Sequence, residues 1–391
     1  MAGPIGHLID PAGGSVHVLV TGDTLSGSWV YTRELVTGLV TRGVRVTLVS
    51  FGEIPLPAQT TWMDHLHGLD YRPTAFRVEW MQEAAEEMAE SSLFLMDLVR
   101  ELRPDVLHLH QFCHGNLPVG VPRVLMAYGD LMTWREAVPA EGSGPSLTER
   151  YVQTRYRDTV VRGIAGANAV VAPSAWMLDR ISAWYAPPKH SEVIYPGRNP
   201  IFFNPYVSKD DCVLAVGRLV DASKQVFLLT QHPHPLPVCI VGAEQTVARP
   251  QIPIRADVKV AIDETSVAIR GPQTEAQLRA LYSRAAIYAA TARYEPLGMP
   301  SLEAAFSRCA IVANDIPSYR EMWGDAALYF RTNDANSLAE SIRLLNDDRT
   351  MRRAYAELAY ARARERFTTK RMIDQYLQLY RSLIAVRTIA A

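Results

Sequence analysis

The densest set of reactive side chains in this 391-residue sequence is Arg293-Tyr294-Glu295-Pro296-Leu297-Gly298-Met299-Pro300-Ser301-Leu302-Glu303. Pro296 and Gly298 make its first part a turn. Pro300 suits the first turn of a helix, where a missing amide donor costs nothing. Glu295 then projects from a loop and Glu303 from the start of a helix. Two carboxylates with seven residues between them reach different hydroxyls of a long polar ligand, while the amides of Leu297, Gly298 and Met299 face its phosphates. The same residues admit a plainer reading, in which Glu303 only answers the helix dipole and Glu295 is a solvated loop residue.

A second candidate is Gly22 to Gly27, which follows the apolar strand Val16–Val20 and precedes a helix from about Trp29 to Arg42. A glycine loop between a parallel strand and a helix N-terminus offers unpaired amides to phosphate, although Gly22 and Gly27 equally permit a tight turn. His108 and His110 sit two apart on a strand, hence on one face, with His114 in the loop beyond. No acidic or thiol residue completes a ligand set and there is no Asp-x-Asp pair, so no metal is expected.

These residues need a framework, and strand-like and helix-like segments alternate through the chain. Strands are expected at Val44–Ser50, Val106–Leu109, Val124–Ala127, Ala169–Ala172 and Val193–Ile194, with helices over Glu79–Leu102 and Leu147–Ala165. Leu131–Ser146, with Pro139, Gly142, Gly144 and Pro145, reads as a loop. Tyr195–Asp211 reads as a linker. A second alternation comes after it, with strands at Cys212–Val216, Val238–Val241, Val267–Ile269, Ile287–Ala290 and Ala310–Ala313, and helices from Glu275, near Met299–Phe306 and over Ser337–Leu344. The segment Met351–Ile384 is helical, with a break at Phe367-Thr368-Thr369. The expected domains are 1–198, 199–370 and a closing helical segment 371–391 that packs back on the first.

Hydrophobic residues make up 48% and charged residues 21%, enough for sizeable cores and a soluble exterior. Forty Lys and Arg balance 41 Asp and Glu, so no overall positive field gathers nucleic acid. Cys113, Cys212, Cys239 and Cys309 are widely spaced and read as buried reduced thiols. No apolar run is long enough to span a bilayer, and Met1–Pro11 lacks the features of a secretory leader, which favours a cytoplasmic protein.

Taken together, these motifs resemble the family-four retaining glycosyltransferases. The resemblance covers almost the entire chain: the Glu-x7-Glu pair Glu295 and Glu303, Val216-Gly217-Arg218-Leu219-Val220 with Lys224 downstream, and the Asp105–His110 strand occur in the family's order. It implies an α/β fold of two Rossmann-like domains with parallel sheets and an intervening cleft, the arrangement called GT-B. It further implies that Arg218 and Lys224 hold the diphosphate of a nucleotide-sugar, Glu303 its ribose and Glu295 a hydroxyl of the transferred sugar. A leaving diphosphate gains charge as its bond to the sugar breaks, and two cations beside it stabilise that change. The bland readings are a surface ion pair for Arg218 and a solvated helix residue for Lys224.

Three departures stand out. Tyr128 replaces the histidine common before Gly129-Asp130, and a phenol is a poor proton acceptor at neutral pH. Asp130 either takes part of that polar role or caps the following segment. Arg198, in Tyr195-Pro196-Gly197-Arg198-Asn199, meets an anionic substrate or pairs with a surface carboxylate, and His110 approaches donor or acceptor. Ser307-Arg308 replaces a small Ala-Gly-type segment.

The function implied is sugar transfer to a sugar, small-molecule or lipid-linked acceptor hydroxyl, the last adding a peripheral association with the inner membrane face. No tightly bound cofactor is implied, and a homo-oligomer is compatible with this reading. A nucleotide-sugar epimerase of the same fold and a catalytically weak sugar-nucleotide-binding protein are the rivals; acceptor-dependent release of nucleoside diphosphate separates transfer from both.

Overall fold

The structure is a computed structural model that describes residues 15–25, 27–81, 84–139, 147–242 and 267–390. The chain forms two compact units. One contains the chain up to Thr133, the stretch ending at Gly197, and the segment from Thr369. The other contains Arg198–Thr368 together with Trp134–Glu141. Gly142, Gly144, Pro145, Ser26 and Met1–Pro11 lie outside the described residues.

Among the described residues, the first unit carries seven strands: β1 (His17–Asp23), β2 (Arg45–Phe51), β3 (Leu69–Pro73), β4 (Val106–Leu109), β5 (Arg123–Met126), β6 (Ala169–Ala172) and β7 (Ser191–Val193). They pair in the order β3-β2-β1-β4-β5-β6-β7, every ladder parallel. β1, β4 and β6 are buried along their whole length, as expected of parallel strands covered on both faces. The core collects Leu19, Val49, Leu107, Leu125 and Val170 from the sheet with Leu95, Leu98, Val160 and Ile181 from the helices. The last helix, Thr369–Ala390, belongs to this unit. Thr369 donates to Glu34, Arg42 pairs with Asp374 at 2.7 Å, and Tyr380 meets His108 Nδ1 at 2.6 Å.

The second unit carries β8 (Asp210–Val216), β9 (Val238–Val241), β10 (Val267–Arg270), β11 (Ala285–Ala290), β12 (Ala310–Asn314) and β13 (Leu328–Phe330), in the order β10-β9-β8-β11-β12-β13 and again all parallel. Val213, Ala215, Ile240, Ile287 and Val312 pack against Leu338, Ile342 and Leu345 of the helix Ala335–Asp347. Local caps fix where helices start: Thr274 and Gln277 form a capping box, and Asp334 and Asp348 accept from Ser337 and Met351 amides. In each sheet strand order reverses beside the first strand of the unit, at β1/β4 and at β8/β11. Such a reversal opens a crevice at the carboxyl ends of the strands.

Several expectations are corrected. Gly22 lies inside β1, which runs on to Asp23, so the loop after this strand is shorter than the sequence suggested. Leu131–Ala137 is a helix and not a loop, because Asp130 caps it. The helix expected from Glu79 runs over Ala85–Leu102. β3, β13 and the helix Pro317–Trp323 were not anticipated.

Candidate functional site

In the second unit the loops after β8 and β11 emerge side by side at the switch point, and they carry most of the reactive residues. Gly217 opens the first loop, its amide bonded to Val241 O at 2.9 Å. A Cβ here would meet Val226 and Lys224 at 3.0 and 3.1 Å, so glycine allows the loop to fold tightly. Asp221, fully buried, orders the rest of this loop. Its Oδ1 accepts from the Ser223 amide (3.0 Å) and hydroxyl (2.5 Å), and its Oδ2 accepts from Arg218 Nη2 at 2.9 Å. Arg218 is therefore not in a surface ion pair; its partner is a buried carboxylate three residues on. Lys224 lies in a turn and not on a helix.

The second loop is stitched to the first. Ser223 O accepts from the Arg293 amide at 2.9 Å and Lys224 O from the Thr291 hydroxyl at 2.7 Å. Across this seam Lys224 Nζ meets Glu295 Oε2 at 2.6 Å, with side chains 27% and 9% exposed. Glu295 is thus buried and paired, which removes the solvated-loop reading. Its other oxygen accepts from the Gly298 amide at 3.0 Å. That amide, expected to face phosphate, is turned onto the carboxylate instead. Gly298 itself has φ +62° and precedes the helix Met299–Phe306, a left-handed position that suits glycine. Leu297 and Met299 flank it, both buried.

Glu303 is the fifth residue of that helix, beyond the first turn, so a helix-dipole role does not account for it. Its Oε1 receives Arg198 Nη2 at 2.9 Å. Arg198 was expected to meet a surface carboxylate or an anionic substrate, yet its side chain is only 2% exposed and its partners are Glu303 and, at 3.4 Å, Glu275. The structure therefore joins Arg218, Lys224, Glu295 and Gly298 through one pair of loops, and Glu303 and Arg198 through one ion pair.

The first-unit candidates have different surroundings. Gly22 is needed for close approach, since a Cβ would lie 3.0 Å from Thr32 and 3.2 Å from Trp29, whereas a Cβ built at Gly27 would meet no atom within 4 Å beyond its chain neighbours. His110 is buried. Its Nδ1 lies 3.3 Å from Thr32 Oγ1, its ring stands edge-on to Tyr128 at 5.5 Å, and burial pushes it down to about 3. His108 is held by Tyr380 and His114 by Ser91 (3.0 Å); burial lowers both, His114 to about 3. Asp130 accepts from the Met132 and Thr133 amides, the Thr133 hydroxyl and Tyr185. This is the capping alternative, with both oxygens engaged.

Sequence reasoning missed Asp221, Ser223 and the Asn314–Asn333 pair. Asn314 Nδ2, at the end of β12, donates to Ala292 O and Asn333 Oδ1, both at 3.1 Å, tying the loop after β11 to the one after β13. The Asp-x-Ser spacing of an Asx turn was the available signal for Asp221. Among the described residues no group of three His, Cys, Asp or Glu side chains is disposed to hold a metal ion, and no helix is long and apolar enough to cross a membrane.

Comparison with known proteins agrees with this architecture. Residues 25–201 match the family description Glycosyltransferase Family 4, and residues 201–362 match Glycosyl transferases group 1. Alpha-maltose-1-phosphate synthase of Mycolicibacterium smegmatis is 25% identical over 323 residues, covering 72% of this chain and 79% of that protein. Sucrose-phosphate synthase from Thermosynechococcus elongatus superposes with a TM-score of 0.75 at 17% identity, over 95% of this chain and 100% of its own. Anabaena HepE in complex with UDP-glucose superposes with a TM-score of 0.70 at 15% identity, over 94% and 99%. At these identities the two structures speak for the fold alone. With two Rossmann-like parallel sheets of the GT-B type and family matches running from residue 25 to residue 362, the chain belongs to the family-four glycosyltransferases and is a glycosyltransferase.

Proposed function

We propose that this glycosyltransferase takes its sugar from a nucleoside diphosphate-sugar and passes it to an acceptor hydroxyl with retention of anomeric configuration. Arg218 and Lys224 hold the diphosphate, Glu303 the ribose and Glu295 a hydroxyl of the sugar. The observation that carries the reading is the stitched pair of loops at the β8/β11 switch point, where Arg218, Lys224 and Glu295 share one framework. HepE, of the same fold, was determined with UDP-glucose, which supports a donor of this class.

The chemistry needs no side-chain nucleophile. The acceptor oxygen attacks the anomeric carbon on the face from which the diphosphate leaves; the bond to the phosphate oxygen breaks, and the acceptor proton passes to the leaving phosphate. Charge accumulates on the diphosphate as this happens. Cations already fixed in place therefore favour the transition state over the ground state. Lys224 is pre-positioned by Glu295 and Arg218 by Asp221, so neither must be ordered during reaction.

The test supplies UDP-, GDP- and ADP-sugars with and without a panel of sugar, small-molecule and lipid-linked acceptors. The expected result is nucleoside diphosphate released only with an acceptor, and a glycoside of the donor's anomeric configuration. An inverted product removes retention. An epimerised nucleotide-sugar formed without acceptor, or donor binding with no glycoside across the panel, overturns transfer.

A further inference from the structure

Arg198 opens the second unit, and its backbone is fixed there. The amide donates to Phe367 O at 3.0 Å, and Arg198 bridges to Thr368 in parallel register. Its guanidinium lies 5.3 Å from the centre of the Phe203 ring, and Phe203 stacks on Phe306 at 6.0 Å and 17°. Phe306 and Glu303 belong to the same helix, Met299–Phe306, in which only Pro300 and Glu303 are not fully buried. The guanidinium is therefore held against this helix by a ring at one end and by the Glu303 carboxylate at 2.9 Å at the other.

A cation buried to this degree is costly, and a buried ion pair adds little net stability over apolar side chains of similar volume. What it supplies is an ionised, oriented carboxylate. Such a group only accepts hydrogen bonds, so it selects a ligand that donates them, and the Glu303 side chain keeps 12% of its surface exposed.

We infer that Arg198 is a positioning residue for Glu303, fixing the carboxylate that receives the nucleoside ribose and thereby setting a preference for ribo- over 2′-deoxyribonucleotides. The inference rests on the ribose assignment of Glu303. Without Arg198 the carboxylate loses the cation that orients it; it turns from the position that receives the ribose, and the penalty for a missing ribose hydroxyl falls.

The experiment is calorimetric titration with whichever of UDP, GDP and ADP binds most tightly, and with its 2′-deoxy form. Wild-type protein is expected to prefer the ribo form by about tenfold or more. Arg198→Gln brings that ratio to within about twofold of unity, while affinity for the deoxy form changes by less than about threefold. In a Glu303→Gln background, Arg198→Gln has no further effect on the ratio, because the two residues act as one unit. An unchanged ratio in folded Arg198→Gln, or additive effects in the double variant, overturns the inference. If Arg198→Gln does not melt cooperatively, Arg198→Lys replaces it. Its single-point ammonium should lower the ratio by about threefold, and a wild-type ratio is again contrary. Unchanged binding by Glu303→Ala sinks the ribose assignment itself, a separate failure.

Discussion

The two units share a strand order and differ in what they place at the carboxyl ends of their strands. In the first, the histidines on and just beyond β4 are buried rings: His108, His110 and His114 are held neutral by burial, and Tyr31, Tyr376 and Tyr380 pack beside His108 and His110. In the second, the corresponding edge is built from ion pairs: Arg218 with Asp221, Lys224 with Glu295 and, beside them, Arg198 with Glu303. One topology thus carries two chemistries. The fold decides where a ligand can approach, and the loop residues decide which charge it carries.

Breaking the charged edge has the largest expected effect. Lys224→Ala and Arg218→Ala each lower turnover by about 10²–10³-fold, the scale of losing one preorganised donor to a developing anion. Steady-state kinetics on proteins with intact melting transitions measures this, and normal turnover removes the cation pair. Next is Gly298→Ala. Its φ of +62° and the closeness of Met322, 2.3 Å from a built Cβ, predict a loss of about 1–2 kcal/mol in denaturant unfolding.

The neutral edge is tested by pH. The unfolded chain protonates histidine near 6.5, whereas folded His110 waits until about 3. Between those values the unfolded state binds more protons, so this contribution to stability falls as acid is added, by at most about 1.4 kcal/mol per pH unit. The stability of wild type relative to His110→Gln should shrink from pH 6.5 downward; a constant difference contradicts burial as a neutral ring. Glu79 works in the opposite sense. Burial raises its carboxyl to about 7, so taking up its proton early favours the folded state as pH falls from there towards 4.5. The smallest effect belongs to Gly27→Ala, with open space around the position and φ −62°: under about 1 kcal/mol by thermal melting.

These contrasts show what could be read from residues alone. β6 and β9 have the bounds expected from the sequence, because short apolar runs between breakers leave little choice. Glu295 and Glu303 could be assigned to a turn and a helix because Pro296, Gly298 and Pro300 dictate local backbone. β3 escaped because Leu69-Asp70-Tyr71-Arg72-Pro73 is a partly exposed edge with no apolar run, and β13 because three residues carry no periodicity. The helix Leu131–Ala137 was hidden by Pro139 and Gly142, which mark a break but not where it begins. Arg198 and Glu303 lie far apart in sequence, so their pairing is a product of the fold and has no local signature. The same holds for the Lys224–Glu295 seam.

Titration of UDP, GDP and ADP into wild-type protein and into Lys224→Ala bears most directly on the charged edge of the second unit. At least one nucleoside diphosphate should bind wild type measurably, and the variant should bind it about tenfold more weakly, as expected for a lost charge-assisted contact. Equal affinity in the two proteins, or binding of none of the three, would contradict a diphosphate held by Lys224.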